Sequence, residues 1–578
     1  MTRSRFTAFF ATLMLSLAFA PVANSAGVNR PAPKLNPALL NLLFEGANTV
    51  SVNITGLDNG ATLKLRNNGT DPLVITRNGA HTFSKSIAEG APLAVTIDSL
   101  PRGQQCSVVR GAQTMLPTKV DNVFVHCTHV ASASLAVAAE GSAPWSLAVL
   151  HGAAGIRNRA YPGIRYESRL GVVGGVFPYE FRVTGLKLGG NTVDSSGVNI
   201  DFRRGLIRWS PTTPGSYVLA IEVRDSNAAG AASVQQAFPI EVASSGFSFV
   251  SADGGIDANG RGSLAQPFKT VQYALSKTAT TGLIYVRRGN YATGSFGLDS
   301  GTSVQLMAYP DEKVSLDFLN GGISYNDAIR LGRIEGFDFR NILQYGISLE
   351  GAGGGFVVRN NRFINGTEWD SPITENPSYI FLRGGDTSRH FGVMVQDNVF
   401  GPYVQKSSGG AAIKFFDAKD ALVENNHIGS GIDNGIHDKD NTVNSTHREN
   451  VVLNSVGGMT EKGISVSAQW YVRGAQIHHN LLINSNIMIG GASDFNMENV
   501  FTHHNTISNG HIAFLWSAVD PASKVFRTHD NVFDNANMAP YLWIWSPDPL
   551  LPQMTFNHNL VQTTSALAMD FDWNASGA

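Results

Sequence analysis

The feature that most constrains this chain is a short phrase that returns eight times in its C-terminal part. The copies read V-V-R-N-N-R-F, V-Q-D-N-V-F, V-E-N-N-H-I, H-R-E-N-V-V, I-H-H-N-L-L, T-H-H-N-T-I, T-H-D-N-V-F and F-N-H-N-L-V. Their final asparagines are Asn361, Asn398, Asn426, Asn450, Asn480, Asn505, Asn531 and Asn559, at intervals of 24 to 37 residues. Short apolar runs and glycine bends at that period mark a β-solenoid, in which each turn can bury its apolar face only against its neighbours. A β-propeller would need about four strands in every 40–50 residues, longer than the intervals here. Asparagine suits such a repeat because its short amide accepts tight bends and can hydrogen-bond the amide of the next rung, forming a ladder. Eight rungs stacked at about 4.8 Å make a rod section about 40 Å long.

Composition agrees with this architecture. Of 45 asparagines 25 fall after residue 350, and 11 of 15 histidines fall from His390 onward. Charged residues are only 15% of the 578, and the 43 Lys and Arg nearly balance the 45 Asp and Glu, for a net charge of −2. Nucleic-acid binding by a basic surface is thereby excluded. A 43% hydrophobic content excludes disorder and can fill several cores.

The first residues, Met-Thr-Arg-Ser-Arg and then an apolar stretch from Phe6 to Ala20, have the form of a secretory signal. Cleavage is expected after Ser25, which places Ala23 and Ser25 at the small-residue positions. No later stretch approaches the roughly 20 apolar residues of a spanning helix, so a secreted protein is expected. Its two cysteines, Cys106 and Cys127, are then expected to form a disulfide. A hairpin turning near Leu116-Pro117 would set them opposite each other.

The mature chain divides into four expected segments. Residues 26–47 form a linker. Residues 48–130 carry VSVNITGL, ATLKLRN and LAVTIDSL between turns such as Asp58-Asn59-Gly60, a pattern of short alternating strands that reads as an antiparallel β-sandwich. This segment resembles immunoglobulin-like modules of secreted bacterial proteins. Residues 131–244 carry GGVFPYEFRVTGL and IDFRRGLIRWSPTTPGSYVLAIEVRDSNAAG and resemble immunoglobulin- or cadherin-like modules. Residues 245–578 form the solenoid. Its opening, SADGGIDANGRGSLAQPFKTVQYAL followed by LIYVRRGNY, resembles the start of right-handed parallel β-helix proteins of the pectate-lyase-like superfamily, of the pectate lyase, alginate lyase or chondroitinase B type. That resemblance implies a capping helix ahead of the first rungs. The expected fold class is therefore all-β: a C-terminal right-handed parallel β-helix preceded by two small immunoglobulin-like β-sandwiches.

Aligning the rungs on their asparagines stacks a second register. Strand alternation turns Ile347, Ile380, Ile413, Ile436 and Ile464 inward. One outward column then runs Ser348, Phe381, Lys414, His437, Ser465, and another runs Glu350, Arg383, Phe416, Lys439, Ser467. Arg383, Lys414, His437 and Lys439 thus gather on one face, with Asp417 and Asp440 at the next bend and Trp516, Trp543 and Trp545 further along as sugar-stacking platforms. Abstracting the proton beside a uronate carboxylate requires that carboxylate to be neutralised and a base to be present, so an acidic polysaccharide is the expected partner. The resemblance implies polysaccharide lyase activity, with Lys439 as base assisted by Arg383, Lys414 or His437, and Asp417, Asp440 and Glu424 as calcium ligands. Two other readings compete: a hydrolase using Asp417 and Asp440, and a non-catalytic glycan-binding or adhesion protein. Asp438 falls on an inward column, against the pattern of an apolar core. His478, His503 and His529 form one outward column and His479 and His504 a neighbouring one. Bend-capping is the expected role for them over zinc binding, since no acidic or cysteine ligand joins them.

Overall fold

The computed structural model describes residues 49–572, apart from 130–145, 299–304, 327–331, 368–376, 385–389, 405–409, 456–461, 491–495, 516–525, 536–541, 546–553, 564–568 and some segments of one to four residues. The signal segment, its cleavage point and the 26–47 linker lie outside the described residues.

Among the described residues each sandwich and the solenoid has its own hydrophobic core, with two smaller clusters where the second sandwich meets the solenoid. The first core lies between two four-stranded sheets and includes Val50, Val52, Ile54, Leu63, Leu65, Val123 and Val125. Its strand Leu63–Asn67 alternates buried and exposed residues, as a sheet with one wet face must. Cys106 and Cys127 oppose each other across the antiparallel pair Gln104–Val109 and Val120–His129 and form a disulfide. The second core is enclosed by a five-stranded and a three-stranded sheet and is built on Tyr166, Trp209, Leu219, Ile221 and Phe238.

The third core fills a right-handed parallel β-helix. Helix Val271–Lys277 seals its first turn with buried Val271 and Ala274; the Thr270 hydroxyl caps it by accepting from the Tyr273 amide. A twelve-stranded parallel sheet then runs from Phe247–Val250 to Met554–Asn557, alongside a larger parallel sheet that holds the longest strands and a five-stranded one. Inside, Ile323, Ile347, Ile380, Ile413, Ile436, Ile464, Ile487 and Ile512 stack in one register, each at most 1% exposed. Phe339, Phe363 and Phe400 follow one another with centroids 5.0 and 4.8 Å apart, the first pair tilted and the second stacked.

The asparagine ladder is continuous. The Asn398 amide donates to Asn426 Oδ1 at 3.0 Å and to the Val358 carbonyl at 2.9 Å, while its own Oδ1 accepts from the backbone and side-chain nitrogens of Asn361. The same pattern continues through Asn426, Asn450, Asn480, Asn505 and Asn531 to Asn559. From Asn361 to Asn531 each amide is buried, and its nitrogen donates both to the next rung and to a backbone carbonyl. The residue before each ladder asparagine lies in the left-handed region, among them Asn360, Asp397, Asn425, Glu449, His479, His504 and Asp530. Asn, Asp and His are the non-glycine residues that enter that region most readily.

The second sandwich docks on the twelve-stranded sheet through buried ion pairs. Arg169 pairs with Asp397, Arg359 joins Glu167 and Glu335, and Arg157 donates to the Tyr285 hydroxyl at 2.9 Å. Burial alone would raise the Asp397 carboxyl, but Arg169, Arg204 and Arg359 outweigh it and bring it down to about 2.

Two outcomes follow from these contacts. Asn450→Ala removes the acceptor of Asn426 and leaves buried groups on both neighbouring rungs unpaired, which should cost about 3 kcal/mol or more in chemical denaturation. The depressed Asp397 carboxyl contributes about 2 kcal/mol that is present above the unfolded-state value near 4 and lost as pH falls towards 2. Acid unfolding followed by circular dichroism should therefore begin at higher pH in Asp397→Asn, whose curve is flatter across that window.

Candidate functional site

Parallel strands in register repeat every side chain at about 4.8 Å along the rod, so a residue's neighbours on its face come from adjacent turns rather than adjacent sequence. Strands Ser378–Arg383, Ala411–Phe416, Asn434–Lys439 and Lys462–Ser467 stack in that way, with Phe381, Lys414, His437 and Ser465 in one column. Glu350, Arg383 and Phe416 align in the other, and Lys439 pairs onward with Ser467. The expected columns are thus brought together. Arg383 is exposed, Lys439 half-buried, and Lys414 and His437 are buried at 1% and 7% exposure.

Phe416 is the centre of the group. The Lys439 ammonium lies 5.0 Å from its ring centroid and the Lys414 ammonium 5.8 Å, both within cation–π range. Phe416 packs on Phe381 at 5.7 Å and Phe381 on Tyr345 at 4.7 Å. An aromatic strip therefore runs across three rungs with two ammonium groups over its end. His437 Nε2 lies 2.6 Å from Ser467 Oγ on the next rung. Charge marks the cations in the sequence; Phe416, the ring that organises them, stands in the outward column of Arg383 with no charge to mark it. Ser467 went unmarked for the same reason.

Asp417 and Asp440 sit at the bend after Phe416 and Lys439. Asp417 adopts a left-handed conformation, accepts from Asn441 Nδ2 at 2.7 Å and donates its backbone N–H to the Asp440 carbonyl at 2.8 Å. Asp438 does point into the core, as its column requires. It receives hydrogen bonds from Ser445 Oγ and, at 2.8 Å, from His447 Nε2, all three residues being fully buried. This internal polar knot lies directly beneath the strand that carries His437 and Lys439. His447 and Ser445 could not be nominated from sequence, because inward polar partners break the apolar pattern the reading relied on.

Trp516 lies outside the described residues. Trp543 and Trp545 belong to the strand Leu542–Trp545, and the backbone register carries the Lys414–His437 column through Met488 and Ala513 to Trp543. Four rungs separate Trp543 from His437, about 19 Å.

Glu424 is a correction to the expected ligand set. It ends the strand Leu422–Glu424 of the twelve-stranded sheet, on a different face from Lys439. Arg448 holds its carboxylate at 2.6 Å, Gln396 donates at 2.7 Å and Arg169 of the second sandwich approaches to 3.4 Å. Burial raises this carboxyl, yet Arg169 and Arg448 overcome that and hold it below the ordinary range. Its oxygens are committed to the interface between sandwich and solenoid.

The fold defines a right-handed parallel β-helix protein carrying two β-sandwiches. Comparison with family models and with curated proteins gives no match. Among solved structures, the GH136 lacto-N-biosidase from Eubacterium ramulus is similar at 12% identity over 55% of this chain and 68% of its own, with a TM-score of 0.35. The catalytic unit of the thermostable GH87 alpha-1,3-glucanase from Streptomyces thermodiastaticus is similar at 14% identity over 70% and 89%, TM-score 0.28. Pectin methylesterase from carrot is similar at 11% identity over 56% and 85%, TM-score 0.22. No residue role is taken from them.

The commitment of Glu424 has a direct check. Glu424→Gln leaves Arg448 and Arg169 short of a buried counter-charge and should destabilise by about 3 kcal/mol, seen as a lower denaturation midpoint. Affinity for any ligand of the Phe416 face should stay unchanged in the same protein.

Proposed function

We propose that the Phe416 face binds an acidic, uronate-bearing polysaccharide and cleaves it by β-elimination. The observation that carries this reading is the convergence on one phenyl ring of half-buried Lys439 and, beneath the surface, buried Lys414. A sugar ring stacks on an apolar face while its carboxylate needs cations beside that face, and this strip offers both within two rungs. Exposed Arg383 extends the positive edge by one further rung.

In the proposed reaction Lys439, once its ammonium has given a proton to solvent, takes the proton on the carbon next to the uronate carboxylate. Those electrons form a carbon–carbon double bond as the neighbouring C–O bond to the leaving sugar breaks, and the leaving oxygen takes a proton from His437. Lys414 and Arg383 offset the negative charge that builds on the carboxylate before the bond breaks. Ser467, bonded to His437 Nε2, orients the imidazole. Asp417 and Asp440 lie at the adjoining bend and would hold a calcium ion, which supplies further neutralisation of that carboxylate.

The test is incubation of the purified chain with pectate, alginate and chondroitin sulfate, with and without calcium, followed by ultraviolet absorbance of the unsaturated uronate product. Activity on one of these is expected, and Lys439→Ala should lower turnover by about 10²–10⁴-fold while leaving affinity within a few-fold. Binding without product in the wild type would instead support the adhesion reading, and absence of both would overturn the proposal.

A further inference from the structure

The bend that positions the asparagine ladder carries a second arrangement, remote from Phe416 in register and unused by glycan chemistry. Its earlier rungs place Arg448 and Glu449 against the second sandwich. The next three rungs carry His478-His479, His503-His504 and His529-Asp530, all just before their ladder asparagines. The imidazoles of His478 and His503 are parallel at 4.8 Å, those of His503 and His529 at 5.1 Å, and those of His479 and His504 at 4.8 Å.

Within each rung two donor atoms sit side by side. His478 Nδ1 lies 2.9 Å from His479 Nδ1, His503 Nδ1 lies 2.9 Å from His504 Nδ1, and His529 Nδ1 lies 2.9 Å from Asp530 Oδ2. The ligand atoms of His478, His479 and His503 all fall within 4.8 Å of one another, and so do those of His504, His529 and Asp530. The absence of an acidic ligand, on which the bend-capping expectation rested, is corrected by Asp530, which occupies the His479–His504 column. Bend geometry does not require this chemistry. Earlier rungs hold the same bend with Arg359-Asn360 or Gln396-Asp397.

Both sandwiches reach the strip. Phe177 of the second packs edge-on to His479 at 4.7 Å and to His478 at 5.6 Å. His126 of the first is buried and its Nδ1 is engaged by Thr55 at 3.0 Å. The Asp530 backbone and the imidazoles of His479 and His504 lie within electrostatic reach of that ring. Burial, reinforced by the neighbouring imidazoles, keeps His478, His479 and His503 well below their ordinary range, and burial brings His504 to about 3 although Asp530 opposes it. Neutral imidazole is the form that binds metal.

We propose that this strip is a binding site for a divalent transition-metal ion of the zinc class, with His504, His529 and Asp530 as one ligand set and His478, His479 and His503 as its neighbour. Mixed imidazole and carboxylate donors suit zinc and similar ions, whereas calcium takes oxygen alone. Two nitrogens about 2.0–2.1 Å from one tetrahedral ion are about 3.4 Å apart, so the paired atoms need to open only slightly to take it. An ion here would join the solenoid bend to the walls that both sandwiches supply.

The test uses the full chain freed of metal by a chelator and titrated with zinc chloride by calorimetry, with metal content measured after dialysis. Saturable binding of at least one ion per chain and a rise of several degrees in the unfolding midpoint are expected, with neither produced there by calcium chloride. His504→Gln/His529→Gln should weaken zinc affinity at least about 10-fold, and His81→Gln, on the first sandwich, should not. Asp530→Asn keeps the shape of its side chain and decides the matter if the double variant fails to give the wild-type circular dichroism. The proposal is overturned if the wild type shows no saturable zinc binding, or if these variants bind zinc as tightly as it does.

Discussion

The hydrogen bond from one ladder asparagine to the next is the contact on which the rest of this molecule depends. Each amide links three successive turns: it donates forward to the next Oδ1, donates to a carbonyl behind, and accepts from the preceding rung. A slip of one residue on any turn would break this pattern and bury unpaired donors, each costing about 1–3 kcal/mol. Loops between turns can then vary in length, as the intervals of 24 to 37 residues show, without disturbing register where it is fixed. Fixed register is what makes columns. The isoleucines, the phenylalanine row, the Lys414–His437 column and the imidazole stacks all follow from it.

Column logic explains which features were legible in the sequence. Anything that repeats with the ladder could be read by counting from an asparagine, and the inward isoleucines and outward cations stand where that count puts them. The disulfide was legible because its two strands pair antiparallel close together in the chain, although between them the chain adds strand Ala112–Thr114 to the other sheet. Glu424 could be placed by the same count, two residues before Asn426 and between Gln396 and Arg448 in one column; what the count does not show is that Arg169 of another module covers that column. Asp530 was overlooked in the histidine columns because attention to identical residues concealed an equivalent position held by a different ligand type. The Asp438–His447–Ser445 knot was illegible for a third reason: a buried polar network violates the apolar rule that identifies a core.

The docking of the second sandwich divides the solenoid's surface between tasks. Arginines 157, 169 and 359 are buried against the twelve-stranded sheet and answered by carboxylates or hydroxyls from both modules. Buried ion pairs roughly balance their desolvation cost, so their value lies in rejecting misaligned packing rather than in net stability. A docking displaced by one rung would set Arg169 against different side chains, since Gln396, Glu424 and Arg448 succeed one another at about 4.8 Å. The rungs of that sheet from Arg359 to Arg448 are therefore spent on assembly, and its later rungs, which end in His478, His503 and His529, carry other chemistry.

The near-zero net charge acquires a different meaning in this setting. A solenoid satisfies its bends with asparagine amides and needs few surface charges for solubility of its turns, so the charges it does keep are placed. Lys414 and Lys439 stand over Phe416 on one face, while the arginine–carboxylate pairs neutralise one another on another. Because screening over about 8–10 Å in physiological salt removes the contribution of charges further off, the first face is governed by exposed Arg383 and half-buried Lys439 with Asp417 and Asp440 beside them, and the second by pairs that cancel. The total of −2 thus says little about what binds. The spacing of the columns does, since a ligand with charges along a chain can address successive rungs only where cation and ring recur on the same side.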